Sequence, residues 1–208
     1  MTQPLFPRTP LLNGSNAVAT RKEFLEYFLS TFNRYEQLFE TLADENAYQV
    51  KPIALRHPLV FYYGHTATFY LNKLLLAGLL KERVNPKLES MFAVGVDEMS
   101  WDDLNEANYE WPSSAEVKQY RHQVRDAVEN LIQTEPLTLP SGWNHPWWVI
   151  IMGIEHERIH LETSSVLIRQ QALSLVQPHP AWQVCTRSGE APQNDLVTIP
   201  AGKITLDK

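Results

Sequence analysis

Two histidines four residues apart, His156 and His160, are the pair in this 208-residue chain best spaced to share one ion. On a helix that spacing turns the second imidazole about 40° from the first, so both project from one face and a single metal can reach both. Val149, Met152, Thr163 and Leu167 fall on the same side of the wheel. The pair is therefore expected to look into a helical bundle, where a buried imidazole needs a partner. Metal ligation is the favoured reading, and a structural pair hydrogen-bonded within a core is the alternative. A third ligand has to come from elsewhere. Glu162 lies about 120° around the helix from His156 and about 160° from His160. It shares its side with Glu155 and Arg158 at ion-pair spacing. These three are assigned to an ion-pair cluster, with Glu162 kept as a supporting group behind the ligands. His65, in the middle of the otherwise apolar segment 61–69, is the other histidine placed inside a helix with such surroundings. Bundle cores assemble metal sites from facing helices in this way, so His65 is taken as the third ligand. Of the remaining histidines, His57 and His145 precede prolines at expected helix starts and are read as capping or exposed, while His122 and His179 show no partner pattern.

The string His156-Glu157-Arg158-Ile159-His160 also fits the zinc-peptidase pattern, in which the glutamate is a general base. That reading needs another ligand downstream. The histidine available is His179, between two prolines beyond the helix, and no edge strand precedes the motif to hold an extended peptide. Zinc metallopeptidase chemistry is kept as an alternative.

Four helical segments would carry these residues. Thr20 with Glu23 makes a capping box ahead of Phe24, Leu25, Phe28, Leu29, Phe32, Leu38, Phe39 and Leu42 at helical spacing. Pro58 suits the first turn of a second, strongly apolar helix running to Gly78 or Leu80. Ser113 with Glu116 makes a second capping box, and Val117, Tyr120, Val124, Val128 and Leu131 stripe a third helix toward Thr134. Asn144, His145 and Pro146 open a fourth, which carries the histidine pair and ends near Leu173. Between the second and third helices runs a long connection, residues 84–112, rich in acidic and aromatic side chains such as Asp97, Glu98, Trp101, Asp102, Asp103, Tyr109 and Trp111. Connections of that length tend to cover something or to carry function.

Prolines at 178, 180, 192 and 200 change the composition after Leu175. The chain accordingly divides into a helical domain, 1–175, and a tail, 176–208. Residues 196–206 alternate like two short strands around a Pro-Ala-Gly turn. A net charge of −6, with no Lys/Arg block longer than two, argues against nucleic acid or an anionic membrane as partner. One cysteine, Cys185, excludes an intramolecular disulfide and suits a cytoplasmic protein. The longest apolar run, 147–154, is far too short for a bilayer span.

Several segments resemble a known family. They are Arg56-His-Pro-Leu-Val-Phe-Tyr-Tyr-Gly-His-Thr66, the loop Met91-Phe-Ala-Val-Gly-Val-Asp-Glu-Met-Ser-Trp-Asp-Asp103, Asn144-His-Pro-Trp-Trp148, and Gly153-Ile-Glu-His-Glu-Arg-Ile-His-Leu-Glu-Thr-Ser-Ser165. Together they are similar to the 5-histidylcysteine sulfoxide synthases of ovothiol biosynthesis and, more distantly, to the sulfoxide synthases of the ergothioneine pathway. The resemblance implies an all-α, DinB-like four-helix bundle in which His65, His156 and His160 hold Fe(2+), with Glu162 completing the H-x3-H-x-E signature. It also implies cysteine, histidine and O2 as substrates and a sulfur–imidazole bond with a sulfoxide as product. Members of that family continue into a formylglycine-generating-enzyme-like domain, whose opening residues 196–206 resemble, and which carries part of the substrate pocket. The chain alone is expected to turn over little, and its own residues assign no catalytic group. A DinB-like metal-dependent thiol transferase is a second alternative, and a metal-free docking module using residues 97–111 a third.

Overall fold

The structure, a computed structural model, describes residues 7–93, 109–183, 186, 188–191 and 193–205. Asp97, Glu98, Trp101, Asp102, Asp103 and Cys185 lie outside the described residues. Six helices occur among the described residues: α1 (Ala17–Phe39), α2 (Glu45–Gln49), α3 (Leu59–Leu76), α4 (Pro86–Ala93), α5 (Ser114–Thr134) and α6 (Trp147–Ile168). The long ones, α1, α3, α5 and α6, form the bundle, and the fold is all-α as expected. None of the helices is long and apolar enough to cross a membrane.

α3 is the central element, packed on α5, α6, α4 and α2. A helix touched from so many directions has to be apolar nearly all round, and α3 is buried continuously from Leu59 to Thr68. Aromatic rings fill the space between helices. Phe28 meets Tyr70 edge-on at 5.7 Å, Phe39 stacks on Tyr63 at 4.7 Å, and Phe24 meets Trp147 at 5.0 Å. Trp147 is a core residue, and its indole N–H donates to the Pro136 carbonyl.

Helix boundaries differ from expectation in instructive places. α1 starts at Ala17, capped by Asn16, whose side chain accepts the Ala19 N–H. Thr20, expected as the cap, is instead a buried residue of the first turns. The two candidates lie four residues apart, and the stretch between them is rich in alanine, the strongest helix former. Ser113 caps α5 as expected, accepting the Glu116 N–H at 3.2 Å. The connection between α3 and α5 is not all loop, because α4 occupies Pro86–Ala93. Pro86 suits its first turn. Glu89, 1% exposed, accepts from the backbone N–H groups of Val84 and Asn85 and pairs with Arg83.

After α6 a short 3-10 turn, Leu173–Leu175, leads into a segment that packs back on the bundle. Gln177 N donates to Thr41 O and Ala43 N to Leu175 O. Residues 193–205 are exposed, and 196–205 contain no strand, correcting the expected hairpin. A two-stranded ribbon without a third strand or a covering helix is marginal at best in water, and Leu196, Val197, Ile199 and Ile204 are all exposed.

Candidate metal centre

α3 and α6 pack along one another and bring three imidazoles together. Ring centroids lie 5.1 Å apart for His65 and His156, 4.8 Å for His65 and His160, and 4.4 Å for His156 and His160. One possible ligand nitrogen from each lies within 4.8 Å of the other two. Metal–nitrogen bonds of about 2 Å would close that triangle with modest side-chain movement. The pair on α6 sits at the edge of the buried face rather than inside it. His156 and His160 are half-buried and Met152 is 41% exposed, whereas Ile150, Ile154 and Leu167 face the core. The centre is therefore reachable from solvent on one side.

Each ring is held by a different device. His65 is 4% exposed, and its Nδ1 lies 2.8 Å from the Phe92 carbonyl. A carbonyl can only accept, so Nδ1 carries the proton and Nε2 keeps its lone pair free for a metal. Phe92 is on α4, the helix that the sequence read as loop, and its approach depends on Gly64. A Cβ at that position would fall 2.3 Å from the Phe92 ring. The residue before the ligand is thus small so that the group orienting the ligand can reach it. Phe61 stacks on His65 at 5.3 Å, and Phe69 lies flat against His156 at 3.6 Å. Burial holds all three imidazoles neutral. It pulls His65 down, and together with neighbouring imidazoles pulls His156 to about 2 and His160 to about 4.

The carboxylates divide only in part as the helix wheel suggested, with Glu155 beside Arg158 as expected and Glu162 apart. Glu155 accepts from Thr9 at 3.0 Å and from the Tyr27 hydroxyl, with Arg158 at 4.0 Å. Glu162 is exposed and makes no side-chain hydrogen bond or ion pair among the described residues. Glu157, weighed from sequence only as a peptidase base, is fully buried against Arg121 at 2.9 Å. Arg121 itself was passed over in the sequence. The signal was present, since it interrupts the apolar stripe of α5 between Val117 and Val124, and a cation at such a position demands a buried anion.

The other histidines stand apart. His57, expected as a capping or exposed residue, is 5% exposed and packs on Phe61 and Trp111. His145 accepts the Trp147 N–H at the start of α6, in keeping with a capping role. His179 lies 3.0 Å from Glu40, away from the three-histidine cluster. A cavity of about 90 Å³ adjoins the centre, lined by His65, Thr68, Phe69, Asn72, Lys73 and Phe92 among others.

The donor set suits a divalent ion. His156 Nδ1 and His160 Nδ1 are buried without hydrogen-bond partners among the described residues, an expensive state for a polar atom. The third ring is fixed in the tautomer that presents a lone pair. Neutral imidazoles of this kind are ligands for iron, zinc, copper or nickel.

Comparison with known proteins agrees with this architecture. Ergothioneine biosynthesis protein 1 of Neurospora crassa is 28% identical over 166 residues, a match that covers 75% of this chain and 19% of that protein's own length. The sequence model of the DinB superfamily matches residues 27–164, a span running from α1 through the three histidines. With that match extending over more than half of its length, the chain belongs to the DinB superfamily.

Proposed function

We propose that this chain is the metal-binding domain of an O2-dependent sulfoxide synthase, with Fe(2+) held by His65, His156 and His160. The observation that carries the reading is the convergence of three neutral imidazoles from α3 and α6, two of them with partnerless buried nitrogens. The relative named for ergothioneine biosynthesis points to sulfur–imidazole chemistry. The motifs of residues 56–66 and 153–165 favour the ovothiol branch, in which cysteine and histidine are joined.

The proposed reaction balances on one O2. The thiol hydrogen and the imidazole C–H hydrogen leave with one oxygen atom as water, a carbon–sulfur bond forms, and the other oxygen remains on sulfur. When bound, iron(II) on three neutral imidazoles supplies open positions and redox chemistry with O2. The protein's own groups do the rest. Phe92 holds the His65 tautomer, Phe69 fixes the plane of His156, and the half-buried edge of α6 leaves the substrates a way in. Residues 176–208 are proposed as the linker and opening of a formylglycine-generating-enzyme-like domain that completes the substrate pocket, with the whole protein acting in the cytoplasm. Peptidase chemistry is disfavoured, because the glutamate it needs as base is fully buried on a guanidinium.

The test is metal content after anaerobic purification, wild type against His65→Ala, followed by mass spectrometry for the sulfoxide in the presence of cysteine, histidine and O2. One iron per wild-type chain and little in the variant is expected. Zinc or nickel with no affinity for iron would favour a DinB-like thiol transferase, and no metal in either protein would overturn the reading.

A further inference from the structure

Directly behind the three imidazoles lies a charge network that ligation alone does not use. Thr66 follows His65 on α3 and Glu157 follows His156 on α6, and Thr66 Oγ1 donates to Glu157 Oε1 at 3.2 Å. The two ligand-bearing helices are therefore joined by a side-chain hydrogen bond one residue from a ligand on each. Arg121 of α5 spans the same junction. Its Nη1 donates to Thr66 Oγ1 at 2.7 Å and to the Tyr63 carbonyl at 2.8 Å, its Nη2 to Glu157 at 2.9 Å, and its Nε to Glu36 of α1. Tyr70 donates to the second oxygen of Glu157 at 3.2 Å. That ring reaches its place only because residue 153 is glycine, where a Cβ would fall 2.4 Å from it. Arg121, Thr66 and Glu157 are each 0% exposed.

A bundle does not need such a cluster for stability, since well-packed apolar side chains commonly serve as well. Its location beside the ligands is what requires a cause. Three neutral imidazoles bring no negative charge to a divalent cation, whereas the network sets two carboxylates, Glu36 and Glu157, against one guanidinium. We propose that Glu157, held by Arg121 and Thr66, is the positioning residue of the metal centre. It sets the separation of α3 and α6 at the level of His65 and His156 and places a carboxylate behind the ligands. This rests on the reading of His65, His156 and His160 as ligands.

The experiment uses Co(II) as a spectroscopic probe on the full chain and compares the wild type with Glu157→Gln, Thr66→Val, Val128→Ala and His65→Ala. Glu157→Gln keeps shape and an acceptor oxygen but loses the charge, and Thr66→Val removes the link between helices. Val128 is a buried α5 residue two turns from Arg121 and serves as the control for stability alone. Glu157→Gln and Thr66→Val are expected to weaken cobalt binding by about tenfold to hundredfold, the range seen when groups supporting ligands are removed, and to alter the ligand-field spectrum. Val128→Ala should lower Tm and leave cobalt affinity in place. A folded Glu157→Gln that binds cobalt like the wild type, with an unchanged spectrum, overturns the proposal while leaving the three-histidine site intact. Should Glu157→Gln fail to fold, a folded Thr66→Val with wild-type affinity and spectrum overturns it equally. Cobalt binding that is absent in the wild type, or unaffected by His65→Ala, removes the ligand reading itself and this proposal with it.

Discussion

His65 and Thr66 are neighbours on α3, and His156 and Glu157 are neighbours on α6, yet the members of each pair belong to opposite kinds of polar interior. On one side of the helix contact, Arg121, Glu157, Glu36, Thr66, Tyr63 and Tyr70 form a charged network in which every member has a partner. On the other, three uncharged rings stand within reach of one another with two buried nitrogens left over. The first arrangement satisfies the rule that a buried charge must be paired and hydrogen-bonded. The second violates the equivalent rule for polar atoms, at a half-exposed edge of the bundle. The same helices thus hold a saturated region and an unsaturated one a single residue apart, and the unsaturated one is where a ligand has something to gain.

Breaking the saturated side should cost the most. Arg121→Leu leaves Glu157 and Glu36 buried without their cation, a change that typically costs about 3–5 kcal/mol. Urea unfolding at neutral pH would measure it. Because the loss comes from stranded charge rather than lost packing, replacing Arg121, Glu36 and Glu157 together by apolar residues of similar volume should recover most of that stability. If the triple variant is as unstable as the single one, the network is contributing something other than mutual neutralisation.

A smaller effect is expected where the two regions are tied to the rest of the fold by glycine. Gly64→Ala puts a methyl group 2.3 Å from Phe92, and overpacking of this kind costs about 1–3 kcal/mol. The informative part is what moves with it. Displacing Phe92 withdraws the carbonyl that fixes the His65 tautomer, so metal affinity should fall while the Arg121 network, on the opposite side of α3, holds. Differential scanning calorimetry with and without metal separates the two. A variant that loses stability but binds metal as before would show that the Phe92 hydrogen bond does not orient the ligand.

The difference between the regions also explains what could be read in the sequence. The long helices carry their own periodicity, and the pair at His156 and His160 needs only helix geometry to be seen. His65 stood out because a polar ring interrupts an apolar segment. Arg121 and Glu157 interrupt apolar stripes in the same way, but each makes sense only with the other, on a different helix, 36 residues away in the chain. Pairing across helices is tertiary information. Glu162 drew attention through its motif position, although the structure leaves it exposed. α4 escaped notice because it is only 8 residues long and its caps, Asn85 and Glu89, sit inside a polar connection that resembles loop. The tail 196–205 shows the reverse error. Its alternation is a genuine strand pattern, but a strand needs a neighbour to accept its backbone hydrogen bonds.

Acid should separate the two regions by where each fails. His65, His156 and His160 have folded pKa values below the ordinary histidine value of about 6.5. As pH falls, the unfolded chain therefore takes up protons that the folded one refuses, and stability declines. The histidine contribution is complete above about pH 6.5. Its loss proceeds downward from there, finished for His160 by about 4 and continuing for His156 toward about 2. The network responds lower. Glu36 is pushed upward by burial, but the Arg121 guanidinium and the Tyr63 hydroxyl more than offset this and hold its carboxyl below the usual range. Its stabilisation is intact above the unfolded carboxylate value of about 4.3 and lost only below it. Glu157, raised mainly by burial, works in the opposite direction and above that value, because the folded chain takes up its proton before the unfolded one does as pH falls. Between about pH 6.5 and 5 the unfolding free energy of the metal-free protein should thus carry the decline due to the imidazoles, with Glu157 opposing it. Replacing His156 and His160 by alanine should flatten that segment while leaving the decline at lower pH in place. An unchanged slope in the double variant would mean that the cluster is better solvated than its packing against Phe69 and Phe61 implies.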